Sequence, residues 1–221
     1  REQKMDIISE DKLRVIASQH NKDLIMLEKD YFLTLFLYMI KDKEGLYFKG
    51  GTAINKIFLD HIRLSEDLDF TVIIPLKEIT NMIQKIIQEN KNIFTRLDYD
   101  KVVFDFTRYL LHYKSYFKKD STLMLDFNKR AKLALKPEKL AIKNFYNLNF
   151  EVNTLNKKEI IAEKICALIN RNKPRDYFDV YQIIKKGIPI DTKLVKKKCR
   201  ADKKEFNIAR IFNKTNKIYT N

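Results

Sequence analysis

Asp67 and Asp69 stand two residues apart in the apolar run Leu68-Asp69-Phe70-Thr71-Val72. On a strand, residues i and i+2 point to the same side of the sheet. Both carboxylates then enter one site, where two like charges must be paired or neutralised, and a divalent cation does this well. Carboxylate oxygens favour Mg²⁺ or Mn²⁺ over soft metals. Asp-x-Asp alone also describes two exposed acids on a polar strand face, so its meaning depends on its surroundings. Upstream lies Gly50-Gly51, two of the four glycines in the chain, side by side. A double glycine between a strand and a helix lets backbone approach a ligand closely. Its amides and the helix N-terminus behind it favour bound phosphate. The Thr52 hydroxyl can donate to a phosphate oxygen or cap the helix. The order strand, Gly-Gly, helix, loop, Asp-x-Asp strand puts a phosphate cradle beside a metal pair.

Further along, Asp126 lies in the apolar strand Leu123-Met124-Leu125-Asp126-Phe127. A buried carboxylate needs a partner, and a metal shared with Asp67 and Asp69 would supply one. A strand-end turn bonded to backbone is the alternative, and Asp105 is the rival third carboxylate. Lys164 falls between Ile160 and Leu168 on a helical wheel, inside a stripe that includes Ile161 and Ile165. A lysine there either snorkels or meets an anion. Arg171, seven residues on, shares nearly the same face, and together they could reach a triphosphate. Asp176 and Asp179 follow Pro174. Either acid complements the helix N-terminus, or one of them points into the cleft and orients a nucleophile or Arg175.

The elements that must position these groups follow from periodicity and punctuation. Ser9 caps a helix from Glu10 to His20, and a longer helix runs from Asp23 to Lys41 with Leu24, Leu27, Tyr31, Leu35 and Tyr38 on one face. Leu46-Tyr47-Phe48 reads as a short buried strand. A helix then runs from Gly51 or Thr52 to about Leu59, and a strand from Asp67 to Ile74, ended by Pro75. Leu76 to Glu89 is an amphipathic helix. Between Phe94 and Phe127 the period approaches two, giving strands near Arg96–Tyr99, within Val102–Phe117 broken by a turn, and at Thr122–Phe127. Pro137 falls in a loop, and Phe150 to Leu155 is one more strand. Beyond it the texture is helical: Lys157 to Asn170 capped by Asn156, Arg175 to Lys186, Thr192 to Arg200, and Lys203 to Tyr219. The expected fold is α+β, a mixed or antiparallel sheet with flanking helices and a C-terminal helical bundle. The expected division is an α+β domain over 1–155 and a basic helical domain over 156–221 that completes the cleft.

With 221 residues and 45% hydrophobic residues, the chain can bury a sizeable core and is not of disordered composition. No apolar run reaches the roughly 18 residues of a membrane span, and no signal peptide opens the chain. Arg1 is not an initiator residue, so residues are expected to precede it. Cys166 and Cys199, with no Cys-x-x-Cys spacing, read as reduced thiols of a cytoplasmic protein. His20, His61 and His112 are scattered, which argues against a His/Cys zinc site. Residues 1–113 hold 17 Lys/Arg and 18 Asp/Glu, whereas residues 114–221 hold 27 and 11. The whole positive excess lies in the second half, and a polyanion, most simply nucleic acid, is its natural partner. A solvated lysine-rich surface is the bland alternative.

Taken together, these residues resemble the AbiEii/AbiGii toxin family. Lys49-Gly50-Gly51-Thr52-Ala53 followed by Arg63-x-Ser65-Glu66-Asp67-x-Asp69-Phe70 is similar to its signature. The likeness extends upstream to Glu28-Lys29-Asp30-Tyr31. Downstream it takes in Ala162-Glu163-Lys164-Ile165-x-Ala167-Leu168 and Arg171-x-Lys173-x-Arg175-Asp176-x-x-Asp179. The resemblance implies a DNA-polymerase-β-like nucleotidyltransferase, a toxin of type IV toxin–antitoxin and abortive-infection systems. Lys49, Gly50, Gly51 and Thr52 would cradle the nucleotide phosphates, with Lys164 and Arg171 adding charge at the triphosphate. Asp67 and Asp69 would hold Mg²⁺ (or Mn²⁺), with Asp126 as a third ligand and Ser65 supporting the metal loop. Lys164 and one of Asp176 or Asp179 would match the later essential motifs. The implied reaction transfers a nucleotide from an NTP, such as ATP, GTP or CTP, to an acceptor. RNA, in particular the tRNA acceptor end, is the implied acceptor, and a cognate antitoxin is an implied partner. An inactive nucleotide- or nucleic-acid-binding regulator, and a transferase acting on a protein or small molecule, are the alternative readings.

Overall fold

The computed structural model describes residues 7–129, 132–171, 173–201 and 206. Ser9 opens α1 (Glu10–Gln19) by accepting from the Lys12 amide, and Asp23 opens α2 (Leu24–Met39) by accepting from that of Met26. Such caps satisfy donors that the first helical turn leaves free. The sequence pattern implies one apolar stripe on α2, but Glu28, Asp30 and Thr34 are buried as well as Leu27, Phe32, Leu33 and Phe36. Each of these polar side chains has at least one partner. Glu28 accepts from the Ser115 hydroxyl and the Tyr116 amide, both at 2.5 Å. Lys56 donates to Asp30 at 2.8 Å and to Thr34 at 2.9 Å, and His61 lies 3.0 Å from Asp30. α2 is therefore a central helix wired to its neighbours by polar contacts inside the core.

Seven strands form one mixed sheet in the order β3-β4-β5-β2-β1-β7-β6. They are β1 (Leu46–Lys49), β2 (Asp67–Val72), β3 (Phe94–Val103), β4 (Phe106–Tyr113), β5 (Ser121–Asn128), β6 (Glu138–Ala141) and β7 (Glu151–Thr154). β2 runs parallel to β5, and β1 parallel to β7; the other neighbours are antiparallel. Phe48, Phe70 and Phe127 stand opposite one another across β1, β2 and β5. The Phe70 and Phe127 rings stack at a centroid distance of 5.0 Å, and Phe48 packs tilted against Phe70 at 5.7 Å. One residue earlier or later along each strand the side chain points to the other face. There the register sets Lys49, Asp69, Asp126 and Arg108 in one row. A packed aromatic layer thus holds a row of four charges rigidly on the opposite face.

α3 (Gly50–Ile57) leaves β1 with no intervening loop, and the turn depends on Gly50 at φ +81°. The segment from α3 to β2 is pinned throughout. Asp60 pairs with Lys143 and Lys186, and Asn55 accepts from the Arg63 amide and donates to its carbonyl. α4 (Leu76–Glu89) packs its Ile79, Ile83 and Ile86 face inward beside β3. In the helical half, α5 (Lys157–Asn170) carries the Asn156 cap. α6 (Pro174–Lys185) begins on Pro174, and α7 (Thr192–Ala201) packs on α5. Both α5 and α6 lie against α3, so the helical half packs directly on the helix that follows the double glycine.

The α+β expectation holds, and most expected elements appear within two or three residues of their predicted bounds. β6 is the strand that the sequence reading left in a loop. Its burial alternates between half-buried and exposed, it is four residues long, and it forms the sheet edge, so it carries no apolar signal. The helix expected from Lys203 to Tyr219 lies outside the described residues. Cys166 and Cys199 are both buried, and neither forms a disulfide among the described residues. Among the described residues no helix is long and apolar enough to cross a membrane.

Candidate active site

The site forms where the β1–α3 turn, the start of β2, and the helices α5 and α6 converge. Asp67 and Asp69 alternate with the buried Leu68 and Phe70 on β2, so both face one cleft of about 350 Å³. The cleft is also lined by Gly51, Arg63, Arg108, Asp126, Lys164, Arg171 and Asp176. A second hollow of about 200 Å³ shares Gly51, Asp69, Lys164 and Arg171 with it and continues past Lys49, Gly50 and Glu163. Thr52 is buried, and its hydroxyl donates to the Asp67 carbonyl at 2.8 Å and lies 3.2 Å from the Asp67 carboxylate. That hydroxyl braces the strand that bears the carboxylates, rather than standing free in the turn for a phosphate.

The Asp69 carboxylate makes no hydrogen bond or ion pair with another described residue. Burial and the neighbouring Asp67 charge push its carboxyl up to about 7, against the opposing pull of Lys49. Gly50 explains how close the backbone comes: a Cβ there would sit 2.1 Å from Asp69 Oδ2. Only glycine fits, on steric grounds and because φ is positive. A Cβ at Gly51 would meet Arg63 at 2.9 Å and Lys164 at 3.3 Å, so this residue too is hemmed in by cations.

The opposite wall is an ion-pair cluster. Lys164 Nζ lies 3.0 Å from both Asp176 Oδ1 and Asp179 Oδ2. Arg171 forks onto Asp176 at 2.6 and 3.1 Å, and Arg63 forks onto Asp179 at 3.0 and 3.1 Å. Asp176 and Asp179, three apart on α6, are both buried and both bind Lys164, but of the two it is Asp176 that lines the cleft, while Asp179 lies behind it on Arg63. Lys164 is 6% exposed and is held by anions rather than snorkelling to water. Three cations meet two carboxylates here, which leaves one positive charge in excess beside the uncompensated pair on β2. Arg175 approaches Glu66 at 3.7 Å at the cleft mouth.

Asp126 stands directly opposite Asp69, as a third ligand would, but Arg108 holds its carboxylate in two hydrogen bonds of 2.7 Å. Among the described residues no group of three His, Cys, Asp or Glu side chains gathers as a ligand set. Asp67 and Asp69 fit a hard divalent cation: two oxygen donors on one face, one of them without any partner. Asp126 does not join them while Arg108 is bound. Asp105 lies between β3 and β4, and its carbonyl accepts from the Lys129 amide; it does not line the cleft. Ser65 is buried with no partner for its hydroxyl among the described residues. Lys49 Nζ turns to Glu163 at 3.2 Å, and Lys198 from α7 reaches the same carboxylate at 2.8 Å.

The family pattern of the nucleotidyl transferase AbiEii toxin, type IV TA system, matches residues 34–219. The chain belongs to this family. Of this AbiEii-family chain, 83% superposes on MenT4, a nucleotidyltransferase toxin from Mycobacterium tuberculosis H37Rv, with a TM-score of 0.62 and 20% identity over 67% of that structure. It also superposes on JHP933 from Helicobacter pylori with a TM-score of 0.56 and 21% identity, covering 73% of this chain and 66% of that one. The chain therefore spans about two thirds of the length of these structures, and at such identities the likeness is one of fold. No curated protein matches it significantly.

Three residues of the AbiEii-family site were not assigned a role from sequence. Arg63 and Glu163 sit inside the quoted motifs, but their partners are 116 and 114 residues away in the chain. Arg108 sits in a strand of mixed composition, and only the β4–β5 register brings it to Asp126.

Proposed function

We propose that this chain transfers a nucleotidyl group from an NTP to an acceptor hydroxyl, with the 3′ end of tRNA as the acceptor. In this reading the transfer arrests translation or growth in the cytoplasm until a cognate antitoxin counters it. The observation that carries the reading is the pair Asp67 and Asp69: two carboxylates on one face of β2, with no cation at contact distance among the described residues, and with the Gly50 backbone pressed against Asp69. Family membership supports the same chemistry.

Asp67 and Asp69 would hold Mg²⁺ or Mn²⁺. Bound there, a divalent cation would lower the pKa of the acceptor hydroxyl and neutralise charge on the leaving pyrophosphate. The amides of the β1–α3 turn, at the N-terminus of α3, are suited to phosphate oxygens. Lys164, Arg171 and Arg63 supply the surplus positive charge for the triphosphate, preorganised by Asp176 and Asp179 so that little reorganisation accompanies transfer. Thr52 keeps the start of β2 in register with that turn.

The test is incubation with total tRNA and each α-³²P NTP in turn. Label should enter RNA, vanish on RNase treatment, and be lost in Asp67→Ala and in Asp69→Ala. Full labelling by both variants would overturn the reading.

A further inference from the structure

α6 has reversed polarity. Its inward face carries the acids Asp176 and Asp179 beside Val180 and Ile183, all buried. Its outward face carries Phe178, Tyr181 and Ile184, which are 40%, 57% and 61% exposed. The buried acids are accounted for by Lys164, Arg171 and Arg63. The exposed aromatics are not accounted for by folding, because a helix of this kind would ordinarily turn them to the core.

Position and charge say what could cover them. Arg175, Phe178, Tyr181 and Lys185 recur at spacings of three, three and four, which keeps them on one side of a helix. The line starts at the cleft, since Lys173 and Arg175 line its mouth together with Asp67 and Asp69. Twelve residues of α6 carry it away from there over about 18 Å. The only acids of α6 are the two buried ones, so α6 itself brings no negative charge to its outward face, and Glu66 lies beside it, 3.7 Å from Arg175 at the cleft end. Two exposed aromatic rings flanked by cations are what a single-stranded nucleic acid requires: charge along its backbone and flat faces on which bases stack, with little sequence preference.

We propose that the outward face of α6 is the platform for the single-stranded 3′ end of an RNA acceptor. Bases stack on Phe178 and Tyr181, and Arg175 and Lys185 meet its phosphates, so that the terminal hydroxyl is led to the Asp67–Asp69 cleft. This rests on the nucleotidyl-transfer reading and adds the partner's path to it. A stacked base is worth about fivefold to a hundredfold in affinity when its ring is removed.

The experiment is fluorescence anisotropy of a labelled 12-nucleotide single-stranded RNA with a free 3′ end, titrated with the full chain. Phe178→Ala and Tyr181→Ala should each weaken binding about fivefold or more, and Tyr181→Trp should retain it. Lys185→Ala should instead flatten the plot of log K against log salt by about 0.7. Thermal melts of each variant control for the fold. Unchanged affinity in the Phe178→Ala/Tyr181→Ala double variant would overturn the proposal. Calorimetry of the wild type with Mg²⁺ and a non-hydrolysable NTP analogue separates the two levels. Nucleotide binding without RNA binding overturns the platform alone, and absence of both overturns the nucleotidyl-transfer reading with it.

Discussion

At the scale of single residues, the site turns on where charge is compensated and where it is not. Asp126 has its cation in Arg108, whereas the Asp69 carboxylate, directly opposite it, has no ion-pair partner among the described residues. Removing Arg108 leaves three carboxylates facing one cleft. Arg108→Ala should therefore tighten Mn²⁺ binding, by on the order of tenfold for a cation charge lost at this range. Electron paramagnetic resonance of free Mn²⁺ reads this directly, and unchanged or weaker binding would show that Asp126 lies too far off to contribute. Gly50 is the other decisive residue. Gly50→Ala puts a Cβ 2.1 Å from Asp69 Oδ2 in a left-handed backbone. The strain costs about 1–2 kcal/mol, so the protein should still fold, but a displacement near 1 Å at the reacting centre costs about a hundredfold in rate. Labelling assays beside urea unfolding curves would separate the two effects. A variant that is folded and fully active would mean that the backbone there has no bearing on the reaction.

At the scale of elements, two polar clusters tie helices together. Lys164 joins α5 to α6 through Asp176 and Asp179, all three buried. Removing one partner of a buried pair costs about 3–5 kcal/mol because the charge left behind is uncompensated. Arg171 and Arg63 remain to share the two acids, so Lys164→Met should fall at the low end of that range. For a chain of this length each kcal/mol lowers Tm by about 2–4 °C, and calorimetry checks the sum. The second cluster joins α2 to α3 and the segment after it. Burial raises the Asp30 carboxyl, but the Lys56 charge and the hydrogen bonds from His61 and Lys56 outweigh burial and hold it well below the usual carboxylate range. Burial draws His61 below its ordinary value. Both shifts make the unfolded chain the better proton acceptor. The His61 contribution weakens as pH falls below about 6.5, and that of Asp30 is lost below about 4. Melting temperature should thus decline in two stages on acidification, and His61→Phe should remove the upper stage. A flat profile between pH 7 and 5 in the wild type would contradict this.

At the scale of the whole molecule, charge is segregated. Residues 114–221 carry a net +16, while residues 1–113 carry −1. The charged row across the sheet and the ion-pair cluster of α5 and α6 close on each other across one cleft, which sets the acidic pair of β2 against a basic second half. If RNA is the acceptor, its binding releases counterions, and affinity should fall steeply with salt, by about 0.7 in log–log slope for each phosphate contacted. Nucleotide binding in the enclosed cleft should respond less. Filter binding at several KCl concentrations gives the slope, and a slope near zero would leave the positive half as a solvated surface.

The sequence by itself determined the fold class, the order of most elements, and the identity of the double glycine, the aspartate pair and the cationic helix. These are local matters. Alternation places Asp67 and Asp69 on one strand face, an apolar wheel exposes Lys164 as the odd residue, and caps and prolines mark the helix ends. The family resemblance was legible for the same reason, since its motifs are short and contiguous. The tertiary structure decided the partners. That Asp126 answers to Arg108, Asp179 to Arg63, and the Thr52 hydroxyl to the Asp67 carbonyl follows from strand register and from helices packing at long range, which no local period encodes. β6 escaped notice because a short edge strand buries too little to impose a pattern. The double glycine and the aspartate pair were visible as residues in a line. Only folding showed that Gly50 is glycine because Asp69 lies against it, and that the Asp69 carboxylate has no ion-pair partner among the described residues.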